Sequence, residues 1–186
     1  MSLHADALAL LRGWASPTPE QERLRERYVG HLEQHGDGVY RSCVPDHLTA
    51  STIVLSADGS RVLLTLHAKA NRWFQLGGHA EASDQTLLEA AAREVREESG
   101  LDLVVDPEPV QLSEHAVPFC GATGDVHHLD VRFLAVAPED AEHVVSEESL
   151  DVAWWPADAL PEGADGSPSE LVELVDLARA RLLGSR

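Results

Sequence analysis

Three glutamates near the end of a predicted helix are the strongest chemical signal in this sequence. Glu94, Glu97 and Glu98 stand at positions i, i+3 and i+4, so a helix brings their side chains together. Like charges at this spacing destabilise a helix by a few tenths of a kcal/mol per pair. The negative end of the helix dipole adds roughly 0.3–1 kcal/mol per anion. A hard divalent cation such as Mg²⁺ or Mn²⁺ reverses both effects, because such ions prefer carboxylate oxygens.

A pair of glycines before the helix bears on this interpretation of the glutamates as a metal site. The paired glycines Gly77 and Gly78 precede the helix and would let the backbone approach a ligand closely, with a carbonyl there completing a metal shell. The competing interpretations are a tight turn for the glycines and a solvated acidic face, neutralised by Arg93 and Arg96, for the glutamates.

The helix that presents the glutamates is predicted over residues 85–99, with Gly100 as its terminating residue. Glu89 stands four residues before Arg93 and is expected to pair with it. The face predicted to enter the core carries four apolar residues: Leu88, Ala91, Ala92 and Val95.

The surrounding pattern is that of a mixed α/β fold. Residues 48–56 and 61–66 are rich in aliphatic and β-branched residues around the turn 57–60, which predicts a hairpin. A short strand at 73–76 is expected to be broken by Gly77-Gly78. Further strands are predicted at 101–105, 110–116, 129–136 and 152–155, separated by loops that include the acidic segment 138–149 and the segment 161–168.

Helices are predicted at both ends of the chain. Residues 5–34 read as two helices interrupted by Pro17 and Pro19, and residues 170–183 read as one amphipathic helix. We therefore expect an N-terminal helical extension at 1–47 and one domain at 48–186, with a mixed sheet between helices. The extension would pack on the main domain or on a second copy in a homodimer, as an interface or a lid.

Composition narrows the choice of partners. The chain of 186 residues carries 14 basic and 32 acidic side chains, a formal net charge of −18. This charge disfavours binding to nucleic acid polymers and to anionic membranes. Two cysteines, Cys43 and Cys120, make no disulfide framework, and with no signal peptide or membrane span predicted, a cytoplasmic location is expected.

The run 93–101, Arg-Glu-Val-Arg-Glu-Glu-Ser-Gly-Leu, together with Gly77-Gly78, resembles the NUDIX box. The second half of that signature matches at every fixed position, and the element order extends the resemblance to the NUDIX α/β/α sandwich. Two departures occur. Fourteen residues separate Gly78 from Arg93, one more than in the family pattern, and the loop glutamate of the pattern falls on Asp84 or Gln85. Asp84 is expected to substitute by pairing with Arg93.

The resemblance implies a hydrolase that uses Mg²⁺ or Mn²⁺ to cleave a nucleoside diphosphate joined to another moiety. By position, Glu94 and Glu98 would be the principal metal ligands, with Glu97 assisting and a carbonyl near Gly78 adding a ligand. The general base would be a glutamate of the box or one on a later loop. On that loop the sequence offers Glu147 and Glu148, which otherwise read as surface charge.

Other polar and aromatic residues have a functional and a structural interpretation. Lys69 and Arg72 precede the glycine pair and are expected to meet substrate phosphates, unless they are solvated loop charges. Phe74 or Trp73 would stack on a base, with at least one of them packed in the core. Trp154 and Trp155 alternate along a strand, which places one in the core and one at a pocket.

A zinc site among His115, Cys120, His127 and His128 is not favoured, because their spacing matches no compact ligand pattern. The two adjacent histidines are instead expected to face the cleft of the active site.

Two other functions share this fold. A non-catalytic binding module typically lacks the box glutamates, all three of which are present here. Isopentenyl diphosphate isomerase depends on a cysteine close to the box, whereas Cys43 and Cys120 lie far from it in sequence.

Overall fold

The fold is described from a computed structural model over residues 1–68, 70–117, 120, 126–139, 141–145, 149–162 and 171–184. Within these residues the chain forms four helices and seven strands. The helices are α1 (Leu3–Gly13), α2 (Pro19–Gln34), α3 (Leu87–Ser99) and α4 (Leu171–Gly184). The strands are β1 (Asp46–Ser56), β2 (Arg61–His67), β3 (Arg72–Phe74), β4 (Leu76–His79), β5 (Gln111–Ala116), β6 (His127–Ala137) and β7 (Ser149–Pro156).

Strand β1 organises a mixed sheet in the order β3-β2-β1-β6-β5. It runs parallel to β6 along its whole length and antiparallel to β2 at Val54 and Leu55. The predicted hairpin is confirmed: Asp58 accepts hydrogen bonds from Ser56 and Ser60 in the turn, and Gly59 adopts φ 73°. Strand β7 pairs with β2, and β4 pairs with the first half of β1.

The glycine pair lies inside a strand, so the predicted break at Gly77-Gly78 is wrong. In β4, Gly77 pairs with Ser51 and Gly78 with Ala50. Gly77 adopts φ 155°, and a Cβ on it would lie 2.4 Å from the Cβ of Ser51. Only glycine fits here, because any side chain would collide with the neighbouring strand.

Helix α3 begins and ends as its sequence dictates. Thr86 caps the first turn by accepting a hydrogen bond from the amide of Glu89, and Gly100 ends the helix with φ 72°. On the predicted core face, Leu88 and Ala92 are only partly buried but pack against the core cluster. The fully buried apolar residues of the helix are Leu87, Ala90, Ala91 and Val95.

The sheet has a hydrophobic core on each face. Alternate residues of β1 divide between them: Leu48, Ala50 and Val54 pack with α3, while Ile53 and Leu55 pack with α4. The predicted sheet sandwiched by helices is therefore confirmed.

The N-terminal helices pack on the main domain. Leu3, Leu11 and Tyr28 belong to the same buried cluster as α3 and the sheet. Trp14 lies just beyond α1, and its indole N–H donates to the carbonyl of Pro109 at 2.9 Å.

One predicted strand does not form. Residues 101–105 make only an isolated bridge, between Val105 and Ala135, which lies beyond the stretch of β6 that pairs with β5. No helix among the described residues is long and apolar enough to cross a membrane.

Candidate functional site

The side chain of Glu98 is buried against the glycine strand. Its Oε2 accepts a hydrogen bond of 2.8 Å from the amide of Gly77, and the residue is 9% exposed. A backbone donor therefore fixes one carboxylate oxygen in the crevice between α3 and β4.

Glu94 approaches the same strand one residue further along. A Cβ placed on Gly78 would lie 2.7 Å from Oε1 and 2.9 Å from Oε2 of Glu94. The bare backbone of Gly78 thus allows the carboxylate to lie directly against it, where a side chain would displace it. Glu94 and Glu98, one helical turn apart, both point at Gly77-Gly78.

Arg93 connects the helix to the strand and to the loop between them. Its Nη1 donates to Glu94 (3.0 Å) and to Glu97 (2.8 Å), and its Nη2 donates to the carbonyl of His79 (2.8 Å). Burial alone would lower the pKa of Arg93, but its bonds to Asp84 and the charge of Glu94 outweigh burial and raise it. Arg93 therefore holds a permanent positive charge among carboxylates.

Asp84 ties the loop to the helix. Its two carboxylate oxygens accept hydrogen bonds from Arg93 at 3.2 and 3.1 Å, and Oδ2 also accepts from the amide of Glu81. Asp84, rather than the exposed Gln85, thus lies beside Arg93 in the longer loop. The predicted pairing of Glu89 with Arg93 is replaced by a hydrogen bond from the amide of Gln85 to Glu89.

The charges of this cluster do not balance. Three carboxylates, those of Asp84, Glu94 and Glu97, contact the guanidinium of Arg93, and a fourth, that of Glu98, lies one helical turn from Glu94 against the same strand. These five side chains together carry 1 − 4 = −3. Glu97 has a side chain that is 56% exposed, so water screens its charge, whereas Glu94 is only 13% exposed. Hard oxygen donors, partial burial and excess negative charge together suit a divalent cation.

Of the residues predicted to contact substrate, Arg72 and Phe74 lie in the part of the chain that the structure describes. Arg72 places its guanidinium 5.8 Å from the ring centroid of Phe74, and both residues are half-buried on β3. Lys69, predicted to meet substrate phosphates, lies outside the described residues, as do the two candidates for the general base, Glu147 and Glu148.

The tryptophans separate as their alternation predicts. Trp155 packs against Trp73 in the core beneath α4, with ring centroids 5.3 Å apart. Trp154 faces the other way and lines a cavity of about 370 Å³ together with Arg61 and His143. The glutamates of α3 are not among the residues that line this cavity.

A buried polar network behind the glycine strand was missed by sequence reasoning. Asp130 on β6 accepts hydrogen bonds from Thr49, Ser51, Gln75 and Arg132. Burial would raise the pKa of Asp130, but the charge of Arg132 and these bonds hold it below its usual range. The sequence feature that indicates this network is the spacing of polar residues two apart in otherwise apolar strands, at positions 49 and 51 and at positions 130 and 132.

A second missed cluster contains histidines from four strands, β1, β4, β5 and β6. His128 packs against His47, His79 and His115, and Cys120 lies beside His47 and His79. His128 therefore contacts other histidines, while His127 lies beside Asp46 at 3.3 Å. Sequence reasoning missed His47 and His79 because they lie far from Cys120 and His128 in the chain.

Comparison with known proteins places this geometry in context. A family model for the NUDIX domain matches residues 45–175, more than half of the chain. No match was found among curated protein sequences.

Three similar solved structures share the fold. An Ap4A hydrolase from C. elegans has a TM-score of 0.58 at 18% identity, covering 74% of this chain and 98% of its own. An E. coli dihydroneopterin triphosphate pyrophosphohydrolase has a TM-score of 0.56 at 21% identity, covering 69% and 92%. The NUDIX domain of Shewanella oneidensis NrtR, solved with ADP ribose, has a TM-score of 0.54 at 22% identity, covering 73% and 87%; NrtR was also solved with a 27mer DNA.

Proposed function

The chain belongs to the NUDIX family, and we propose that it hydrolyses a phosphoric anhydride bond in a nucleoside diphosphate joined to another moiety. The observation that carries this proposal is the convergence of Glu94 and Glu98 on Gly77-Gly78, with an excess of negative charge. A structural role alone gives no reason to hold three carboxylates on one arginine and to bury a fourth, that of Glu98, beside them.

The proposed cofactor is Mg²⁺ or Mn²⁺. Glu94, Glu98 and the carbonyl of Gly78 would hold the ion, and the exposed Glu97 would assist. When bound, the ion supplies positive charge to a diphosphate and makes water more acidic.

The residues around these ligands have positioning roles. Arg93 orients Glu94 and, through the carbonyl of His79, holds the end of β4 against the helix. Asp84 orients Arg93 with a two-point contact, and the amide of Gly77 orients Glu98. The proton acceptor for the attacking water is a glutamate of the box or Glu147 or Glu148.

The substrate is proposed to be an anionic, nucleotide-type small molecule. The compounds that the similar structures bind or act on, ADP ribose, Ap4A and dihydroneopterin triphosphate, contain phosphoric anhydrides. Arg72 and Lys69 would contact phosphates, and Phe74 would contact a base. The net charge of −18 favours such a ligand over a nucleic acid polymer.

A panel of nucleoside diphosphate derivatives, assayed with Mg²⁺ and with Mn²⁺, tests the proposal. Phosphate released after phosphatase coupling reports turnover. Glu98→Gln should lower turnover by roughly 10²–10³-fold. Glu173→Gln, which changes an exposed glutamate on α4 across the sheet, should leave turnover unchanged. Equal turnover in the Glu98→Gln variant would remove Glu98 from the site.

A binding module on the same fold is the second candidate, favoured by the NrtR domain solved with ADP ribose. It predicts calorimetric binding of ADP ribose without turnover of any substrate in the panel.

A further inference from the structure

Four metal-binding side chains from separate parts of the chain converge at one end of the sheet. His47 lies on β1, His79 at the end of β4, His128 on β6, and Cys120 beyond β5. One ligand atom from each lies within 4.8 Å of all the others. The register explains the meeting, because His47 pairs with His128 and Thr49 pairs with His79.

The spacing of the donor atoms suits a tetrahedral ion. A zinc ion with ordinary bond lengths separates two nitrogen ligands by about 3.3 Å and a nitrogen from a sulfur by about 3.6 Å. Here the Nε2 atoms of His47 and His79 are 3.1 Å apart. The Sγ of Cys120 lies 3.9 Å from His47 Nε2 and 3.7 Å from His79 Nε2.

The histidines are also prepared as ligands. The Nδ1 of His47 lies 3.0 Å from the carbonyl of Cys43, which can only accept, so Nδ1 carries the proton and Nε2 presents its lone pair. Histidines that bind metals commonly donate their second N–H to a carbonyl in this way. The Nε2 of His128 is buried and has no hydrogen-bond partner among the described residues.

We propose that His47, His79, Cys120 and His128 bind one Zn²⁺ ion in a site distinct from the glutamate cluster. Nitrogen and thiolate ligands select zinc over Mg²⁺, which prefers oxygen. Four protein ligands complete a tetrahedral shell, as in structural zinc sites. On binding, the thiol of Cys120 loses its proton to solvent.

The ion would fasten the end of β4. His79 follows Gly78, and its carbonyl accepts the hydrogen bond from Arg93. Zinc would therefore hold the strand that carries the glycine pair, while taking no part in the reaction.

Metal content and cobalt spectroscopy of the full chain test this site without an activity assay. Protein expressed in zinc-supplemented medium and then desalted should contain about one zinc ion per chain, as measured by elemental mass spectrometry. The metal-free protein titrated with Co²⁺ should show the visible bands of tetrahedral cobalt and a thiolate charge-transfer band in the near ultraviolet.

Cys120→Ser should remove the charge-transfer band and weaken zinc binding by more than the roughly 10–100-fold that loss of a supporting partner costs. His128→Asn should weaken zinc binding comparably. Cys43→Ser is the matched control, since it removes the other buried thiol, which lies near His35 and Asp37 in a second group of metal-binding atoms. It should retain both zinc and the band.

Wild-type protein without stoichiometric zinc and without the cobalt bands would overturn the proposal. So would full zinc retention in Cys120→Ser, or loss of zinc and the band in Cys43→Ser alone. If Cys120→Ser fails to fold, the Cys43→Ser protein still decides the question, because Cys120 is then the only cysteine of the chain and the sole source of a thiolate band.

Discussion

The amide of Gly77 donates a hydrogen bond of 2.8 Å to the carboxylate of Glu98. This bond joins the most constrained residue of β4 to the most buried glutamate of α3. Because both atoms are held by regular structure, one strand and one helix, the crevice between them is defined without any contribution from the loop.

Substitution of the buried Glu98 and substitution of the exposed Glu97 should lower turnover to different extents. Glu98→Gln should lower kcat by roughly 10²–10³-fold, a loss of the size seen when one preorganised electrostatic group is removed from an active site. Glu97→Gln should cost less than about tenfold, because its side chain is 56% exposed and its charge is screened. Steady-state kinetics at saturating Mg²⁺ measure both, and equal losses would contradict the assigned ranking.

Gly77→Ala should destabilise the fold by about 2–4 kcal/mol, combining strain at positive φ with a clash against the neighbouring strand. The added Cβ would lie 2.5 Å from the Cα of Ser51 and 2.8 Å from the carbonyl of Ala50, which cannot move independently. Urea unfolding measures the change. Gly30→Ala in α2 is the control: its Cβ meets nothing within 4 Å, so stability should not fall.

Asp84→Asn should loosen the loop while leaving α3 folded. The pair of Asp84 and Arg93 has side chains only 6% and 13% exposed, so its loss should cost about 1–3 kcal/mol. Turnover should fall as well, since Arg93 loses the contact that orients it beside Glu94. The kinetics and unfolding of Asp84→Asn are compared with those of Asp84→Glu, which keeps the charge. If Asp84→Glu restores neither turnover nor stability, the role of Asp84 is purely steric.

Asp130 should make the free energy of unfolding depend on pH in the acidic range. Its pKa is depressed in the folded state, so the stability it contributes is present above its unfolded pKa of about 3.9 and is lost as pH falls through the folded value. Asp130→Asn should therefore destabilise the protein at neutral pH and flatten its stability profile below about pH 4.

Denaturant unfolding from pH 7 to pH 3 measures that profile. Asp102→Asn, whose side chain is 86% exposed, is the control and should keep the wild-type slope. A slope unchanged in Asp130→Asn would show that the acid sensitivity arises elsewhere.

Local chemistry predicted the elements that carry the site. The hairpin at β1 and β2, the helix α3 and its end at Gly100 follow from strand-forming residues, a capping threonine and a glycine that tolerates positive φ. The predicted strand at 101–105 did not form beyond one bridge at Val105, since strand formation depends on pairing with a distant strand, which the neighbouring residues do not reveal.

The sequence by itself determined the spacing of the glutamates, the glycine pair and the alternation of strand residues between the two faces of the sheet, because helical and strand periods act between near neighbours. Tertiary structure alone decided that Gly77 lies in a strand beside Ser51, that Asp84 and not Gln85 pairs with Arg93, and that Asp130 is buried among partners. It alone brought His47 and His79 to Cys120 and His128. Those contacts depend on strand register and chain crossing, which join residues that no local period relates.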